Sequence, residues 1–525
     1  MELSKTSKFC IVACLMAFPL IIIVSVNNQD HMSNLITLAK FKAQNLIGSK
    51  YNSDKIPEDV LLGGLLASGF DQESCLSRYQ SAQYRKHSPG NPSPYLVSKL
   101  RNYEKLHKKC EPHSESYNRT VQVLGSMNVS TPTECNYIVW KAQEGLGNRI
   151  LTMTSAFLYA LITNRVLLVD HYSDMADLFC EPFPNTSWLL PRDFPDEFKW
   201  NSHRPTFGNL LRSNVISASM KFTPPFLYVF LAARLDFFDL LFYCEDYHRS
   251  ILQKVPWLIL RSDEYFVPSL FLMPSFQEEL DRMFPDKETV FHHLGRYLFH
   301  PANKPWGLIT RFYQSYLAKA EQRIGMQVRV FNLRSISFQR LMDQIIACTL
   351  NENLMPTLDK QKLIASPSKN KASKAVLIAS LHSHFYDNLT SMYWTFPTTS
   401  GDVVAFHQAS HENRQHSKEN NHNMKAWVEM NLLSLSDVLV TSSSSTFGYV
   451  STGLAGVRAW MLSKPEGWNT SFPPCQRVLS MEPCLHLPPS YDCKAKVKAD
   501  MANVVPYVKH CEDSASGLKL VNIQS

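Results

Sequence analysis

Tyr137-Ile-Val-Trp140 runs into Gly145-Leu-Gly-Asn-Arg149, and Ile150, Met153, Phe157 and Leu161 follow at helical spacing before Val166-Leu-Leu-Val169 and Asp170. An apolar run, a Gly-rich turn, a 3.6-period stripe and a second apolar run read as strand, helix, strand, and that order makes a parallel sheet. The pattern returns in the second half. Val328-Arg-Val-Phe331 reads as a strand leading to a helix near Phe338 to Cys348, and Val376-Leu-Ile-Ala379 and Val403-Val-Ala-Phe406 read as buried strands. A helix around Met424 to Leu435 precedes the strand Val438-Leu-Val-Thr441; Ser445 to Leu454 opens another helix, and Val457 to Leu462 forms the last strand. Two βα arrays parted near residue 320 predict an α/β protein of two Rossmann-like lobes, with ligands bound at the carboxyl ends of the strands.

Composition narrows the class. The 525 residues carry 53 Lys+Arg against 46 Asp+Glu, a formal net charge of +7, and 45% are hydrophobic. That apolar content excludes a disordered chain, and Gly and Pro without a period exclude collagen-like sequence. The charge excess is spread along the chain rather than gathered into the basic patch of a nucleic-acid binder, so no nucleic-acid partner is expected.

One long apolar run exists, which excludes a multispan membrane protein. Phe9 to Val26 is 18 residues without a charge, preceded by Lys5 and Lys8. It is long enough to span a bilayer core, and the positive-inside rule keeps the short N-terminus cytosolic. The predicted organisation is therefore a cytosolic tail (1–8), a transmembrane anchor (9–26), a polar stem (27–60), an N-terminal lobe (61–320), a C-terminal lobe (321–470) and a cysteine-rich tail (471–525). Sequons at Asn118, Asn128, Asn185, Asn388 and Asn469 suit a translocated chain, as do ten cysteines beyond the anchor. Four of these, Cys475, Cys484, Cys493 and Cys511, predict a disulfide-stapled tail whose connectivity the sequence leaves open. Leu363 to Lys374, rich in Ser and Lys, reads as an exposed loop.

Three segments could carry anion chemistry. Gly145, Gly147, Asn148 and Arg149 lie where a backbone can approach a diphosphate at a helix N-terminus. The bland alternative is a tight βα turn with Arg149 paired at the surface. Thr441-Ser-Ser-Ser-Ser-Thr-Phe447 exceeds what a single helix cap needs, so Ser445, Thr446 and Phe447 are candidate binding residues. Arg329, set among Val328, Val330 and Phe331, must be paired if buried, and a guanidinium meets phosphate bidentately. Acid–base candidates are less specific: Asp236 and Asp239, and the adjacent His292 and His293. His382, His384, His407 and His411 show no ligand spacing, and no D-x-D occurs to hold a divalent cation, so no metal is expected.

These residues carry a resemblance. Gly145-Leu-Gly-Asn-Arg-Ile-Leu151, Leu62-Gly-Gly-Leu-Leu-Ala-Ser-Gly-Phe-Asp71, Val290 to Pro301 and Gly325-Met-Gln-Val-Arg-Val-Phe331 resemble the plant xyloglucan-type galactoside 2-α-L-fucosyltransferases, glycosyltransferase family 37. Ser391-Met-Tyr-Trp394, Asp437 to Thr441 with Ser445 to Tyr449, Ser480 to Cys484 and His510-Cys-Glu-Asp513 are similar too. The resemblance implies a two-lobed GT-B fold and GDP-fucose as donor substrate, held mainly by the C-terminal lobe, with no other cofactor. It implies inverting transfer of L-fucose to a galactose hydroxyl of a cell-wall polysaccharide or arabinogalactan-type glycan. It also implies a Golgi membrane location, single-pass type II with the catalytic part lumenal, and leaves a homodimer open.

Arg329, the Gly145–Arg149 turn and Ser445 to Phe447 would then hold the donor, and Asp236 or Asp239 would take the acceptor proton, unless water relays it. The chain departs from the family where Ser443-Ser444 stands in place of a frequent Ala-Trp pair, and at Leu381 to Phe385 and Gln408 to His416. Two other readings compete: a transferase using another nucleotide sugar, and a non-catalytic glycan-binding relative.

Overall fold

The computed structural model describes residues 61–523 apart from 86–88, 127, 130–131, 171–174, 233–235, 331–336, 363, 365–371 and 465–470. The expected tail, anchor and stem, and Asn469, lie outside the described residues. Among those described, no helix is long and apolar enough to cross a membrane.

Two sheets organise the chain. Strands β1 (Tyr137–Lys141), β2 (Val166–Val169), β3 (Phe226–Leu231) and β4 (Trp257–Ser262) pair in the order β2-β1-β4-β3, all parallel. Strands β5 (Gln322–Val328), β6 (Ser373–Ser380), β7 (Val403–Gln408), β8 (Val438–Ser442), β9 (Trp460–Leu462) and β10 (Cys475–Arg477) pair in the order β10-β9-β8-β5-β6-β7. Only β10 runs antiparallel to its neighbour, and it lies beyond the expected border at residue 470.

The longer helices are α1 (Pro94–Lys109), α2 (Leu146–Ile162), α3 (Val290–Leu298), α4 (Phe338–Asn351), α5 (His384–Thr395), α6 (Asn420–Ser434) and α7 (Thr446–Ala455). In α2 every residue but Asn148 is buried. A helix buried on all sides runs through the interior of a protein, and α2 packs on β1 and β2 with one face and on α3 and α7 with others. One apolar cluster accordingly runs from Ile150 and Phe157 of α2 through Phe291 of α3 to Val450 and Leu454 of α7 and Leu518 of the tail. Each such side chain stabilises the fold by about 1.5–3 kcal/mol.

The sequence places β5 too late. It ends at Val328, so Arg329 emerges just past the strand rather than inside it. The polar residues that obscured the strand are satisfied by neighbours. Arg323 makes a buried ion pair with Asp437 at 2.7 Å, and Gln327 Oε1 accepts the Ser442 N–H at 3.3 Å. The sequence reading does not single out strands β3 and β4, which no Gly-rich turn or hydroxyl run follows.

All ten cysteines beyond residue 60 are paired: Cys75–Cys180, Cys110–Cys135, Cys244–Cys493, Cys348–Cys475 and Cys484–Cys511. The tail is stapled internally by one bridge, to the second sheet's layer by another and to the first sheet's layer by a third. After the short hairpin β11 (Tyr491–Asp492) and β12 (Val497–Lys498), strands β13 (Val508–Cys511) and β14 (Ser514–Leu520) form a hairpin whose Val508, Leu518 and Leu520 are buried. Among the sequons, Asn118, Asn128 and Asn185 are exposed. Asn388 is half-buried and its Nδ2 donates to the His384 carbonyl at 2.8 Å.

The Cys484–Cys511 bridge closes a sequence separation of 27 residues. Opening a loop of that size by Cys484→Ser with Cys511→Ser is expected to cost about 3–4 kcal/mol. A thermal melt of the double variant beside the wild type measures it, and an unchanged midpoint would contradict the tail's structural role.

Candidate functional site

A cavity of about 300 Å³ opens where the carboxyl ends of β5 and β6 meet the N-termini of α2 and α7. From α2 it is lined by Gly145, Leu146, Gly147 and Asn148, and from the β8–α7 turn by Ser444, Ser445, Thr446 and Phe447. Gln327 to Arg329 come from the end of β5 and Ala379 to Leu381 from the end of β6. Glu412, Gln415 and Ser417 come from the loop after β7, Glu429 from α6 and His486 from the tail. This carboxyl edge is where open parallel sheets bind ligands.

Both helix starts are built to face an anion. Gly145 and Ser445 are the N-caps of α2 and α7, and neither helix has a side-chain cap. The first N–H groups of each helix therefore lack an intrahelical acceptor and carry the positive end of the dipole. The two helices can meet only because residue 147 lacks a side chain. A Cβ there would stand 2.7 Å from Thr446 Oγ1, 2.9 Å from the Thr446 carbonyl carbon and 3.0 Å from the Phe447 nitrogen. Asn148 completes the joint: its Oδ1 accepts from Thr446 Oγ1 at 3.0 Å, and its Nδ2 donates to the Asp263 carbonyl at 3.0 Å.

The hydroxyl run divides into distinct tasks. Thr441 and Ser442 end β8, and Ser442 Oγ accepts the Arg329 N–H at 2.9 Å. Ser444 adopts a left-handed backbone, φ 55°. A non-glycine residue pays strain there, and the Ser444 N–H is held at 2.5 Å by the Asp513 carboxylate from the tail. Asp513 is also the acceptor for the Tyr449 hydroxyl, which stands 3.0 Å from His486 Nε2. Burial alone would raise the Asp513 carboxyl, but the His486 ring, the Tyr449 hydroxyl and the Ser444 N–H together hold it below the usual carboxylate range. Beside this group Glu264 accepts the His486 backbone N–H at 3.1 Å, and burial pushes its carboxyl up to about 7.

Arg329 reaches across the cavity mouth, its Nη2 donating to Gln415 Oε1 at 2.7 Å. Burial lowers its pKa from the ordinary guanidinium value. Arg149 does not line the cavity. Its guanidinium donates to the Glu144 carbonyl at 3.0 Å and to the Ser417 carbonyl at 2.9 Å, tying the turn to the loop after β7.

Asp236 and Asp239 are not brought to the cavity. Asp236 caps a short helix after β3, accepting the Phe238 N–H at 3.0 Å, and pairs with Arg212. Asp239 is buried and accepts from Thr206 Oγ1 at 2.9 Å and the Gly208 N–H at 3.1 Å. His292 is buried against the Gly453 carbonyl at 2.8 Å, and burial holds its pKa well below the ordinary value.

The four histidines weighed for metal are dispersed against aromatic rings: His382 and His384 on Phe338, His407 on Tyr316, His411 on Tyr386. Among the described residues, one group of three potential ligands comes together, Cys484, His486 and Asp513. Cys484 is bonded to Cys511, so its sulfur offers no thiolate.

The sequence reading thus finds Gly145, Gly147, Asn148, Arg329, Ser445, Thr446 and Phe447 on one cavity, and misses Glu429, His486 and Asp513. His486 lies two residues past the tail motif Ser480 to Cys484 and Asp513 is the last residue of His510 to Asp513, but as cysteine landmarks these motifs give no sign of facing a ligand.

Comparison with known proteins adds an independent line. The chain matches the family described as Xyloglucan fucosyltransferase over residues 37–494. A galactoside 2-alpha-L-fucosyltransferase of Pisum sativum is 51% identical, covering 99% of this chain and 93% of its own length. One of Arabidopsis thaliana is 49% identical with the same coverage of each, 99% and 93%. The solved structure of a mutant of FUT1 from Arabidopsis thaliana in complex with GDP superposes with a TM-score of 0.82 at 52% identity, covering 88% of this chain and all of that one.

Replacing Gly147 by Ala sets a Cβ against the Thr446 backbone. Overpacking of this kind is expected to cost about 1–3 kcal/mol and to part the two helix ends. A melt combined with a GDP titration of Gly147→Ala measures both effects; wild-type affinity in a folded variant would contradict the joint's role.

Proposed function

Because the chain belongs to the xyloglucan fucosyltransferase family, we propose that the cavity is its donor site and that transfer there inverts the sugar's anomeric carbon. The chain is a glycosyltransferase that moves fucose from GDP-fucose. One observation carries the assignment to this cavity: Arg329 and two uncapped helix N-termini converge on it from both sheets. A leaving diphosphate gathers negative charge as the glycosidic bond breaks, and preorganised positive groups stabilise that charge. The fold carrying this arrangement is the two-lobed GT-B type.

The displacement is a single step through an oxocarbenium-like state. The bond from fucose C1 to the phosphate oxygen breaks, the acceptor oxygen bonds to C1 from the opposite face, and GDP leaves. The acceptor hydroxyl must lose its proton. His486 is the base in this reading. It lines the cavity beside Ser444 to Phe447, its Nε2 is engaged by Tyr449, and its Nδ1 has no partner among the described residues. Asp513, 3.8 Å from Nε2, favours the imidazolium that forms. Asp236 and Asp239 are too committed to their own turns to serve.

The acceptor is the 2-hydroxyl of a galactose on a cell-wall polysaccharide or arabinogalactan-type glycan. The location is the Golgi membrane, with Phe9 to Val26 as a type II anchor and the catalytic part lumenal. Five disulfides support an oxidising compartment, in which exposed Asn118, Asn128 and Asn185 would be glycosylated.

GDP release from GDP-fucose with a panel of galactose-terminated acceptors tests the function. Release that depends on one acceptor supports it; no release and no GDP binding would overturn it. Arg329→Ala is expected to weaken GDP by about 1.5–3 kcal/mol, on the order of 10- to 150-fold. His486→Gln is expected to lower kcat by about 100-fold or more with the donor KM little changed. A kcat within a few-fold of the wild type in the folded variant would take His486 out of the proton transfer.

A further inference from the structure

A second cavity, of about 20 Å³, shares no lining residue with the first. Arg85, which follows the short helix Ser81–Tyr84, Arg296 of α3 and His300 just past α3 come together on its wall, with Ser81 and Asn431 beside them. No carboxylate is among the described residues that line it. Buried cationic groups gathered in this way are costly unless something offsets their charge.

The hydrogen bonds around the cavity offset it only in part. Arg85 ties two helix ends together: Nη1 donates to the Leu454 carbonyl at 2.8 Å and the Ser434 carbonyl at 3.3 Å, and Nη2 to Ser434 Oγ at 3.3 Å. These residues lie in the last turns of α7 and α6, where the helix dipoles are negative. Arg85 Nε is buried and has no hydrogen-bond partner among the described residues. His292 Nδ1 is on the Gly453 carbonyl at 2.8 Å and its Nε2 faces Arg296 Nη1 at 3.3 Å. A ring that donates to a carbonyl and accepts from a guanidinium is a neutral imidazole, so His292 brings Arg296 no countercharge. Asp437, which lines another small cavity with Arg85, is spent on Arg323. His300 is 4% exposed, and its Nε2 is buried without a hydrogen-bond partner among the described residues. Burial holds the His300 pKa well below the ordinary value, and the guanidiniums of Arg78, Arg296 and Arg85 lower it further.

The space suits one particle about the size of a water molecule. A water could accept from the N–H groups, but it would leave the two guanidinium charges of the wall uncompensated. A phosphate or an organic acid needs several times the room. We propose that this cavity is a binding site for a monatomic anion of chloride size, held by the Arg85 Nε–H, the Arg296 guanidinium and the His300 ring with its proton on Nε2. The ion would offset buried positive charge where α3 meets the last turns of α6 and α7, and so stabilise the junction of these helices.

Thermal melts of the full chain in chloride, with gluconate keeping the ionic strength constant, test this together with a bromide anomalous map from crystals of the protein. The wild-type midpoint is expected to rise by about 1–3 °C and level off as chloride replaces gluconate. Bromide is expected to give a peak between Arg85, Arg296 and His300. In His300→Phe the chloride needed for half of the rise is expected to increase about 10-fold or more, the effect of losing one hydrogen bond to a charged group. A wild-type midpoint indifferent to chloride, a map with no bromide in this cavity, or a folded His300→Phe that responds to chloride as the wild type does would each overturn the proposal. Should His300→Phe not fold, the wild-type melt and the bromide map decide by themselves.

Discussion

The contact between Gly147 at the start of α2 and Thr446 at the start of α7 sets the geometry of the rest. It joins the two sheets' layers at their carboxyl edges, and it exists because one residue has no Cβ to hold the helices apart. A second close approach of the same kind lies deeper, where a Cβ on Gly453 of α7 would stand 2.2 Å from the Phe291 ring of α3. Packed at both ends, α7 cannot slide without moving the core that α2 and α3 share. The cavity is what remains between the helix starts once they are fixed, so binding and packing constrain the same atoms.

The tail works as a brace for this joint. Chain beyond β10 returns to the site, where Asp513 holds the left-handed Ser444 through its N–H and orients Tyr449 and His486. The bridge Cys484–Cys511 keeps His486 and Asp513 on one rigid piece, since each lies two residues beyond one of its sulfurs. The strain at Ser444 is thereby maintained by a carboxylate some 69 residues away in sequence. The same carboxylate is placed to answer a charge arising on His486. Stability and chemistry converge on Asp513, and the cost of one is not separable from the other.

Much of this was legible in the chain, and the rest was not for definite reasons. Strand β2 is apolar throughout and β1 and β8 are apolar up to their polar C-terminal residues, and all three flank motifs, so periodicity finds them to within a residue. Strand β5 was read late because Arg323 and Gln327 make it look polar; only its pairing with β8 shows that both are satisfied. On the site, Gly145, Gly147, Asn148, Arg329 and Ser445 to Phe447 announce themselves by residue type beside a strand end. Arg149 announced itself equally and is instead a clasp on the Ser417 carbonyl. Asp236 and Asp239 are ordinary turn carboxylates, and nothing local marks them as such. Glu429, His486 and Asp513 gain their meaning only from what folding sets against them, which spacing along the chain does not encode.

The central claim is that one diphosphate is held by two helix N-termini at once. Hydrogen exchange resolved to single amides, with and without GDP, tests it most directly. The account predicts that GDP slows exchange together at Gly147 and Asn148 of α2 and at Thr446 and Phe447 of α7. Slowing confined to one helix start, with the other exchanging as in the free protein, would contradict it.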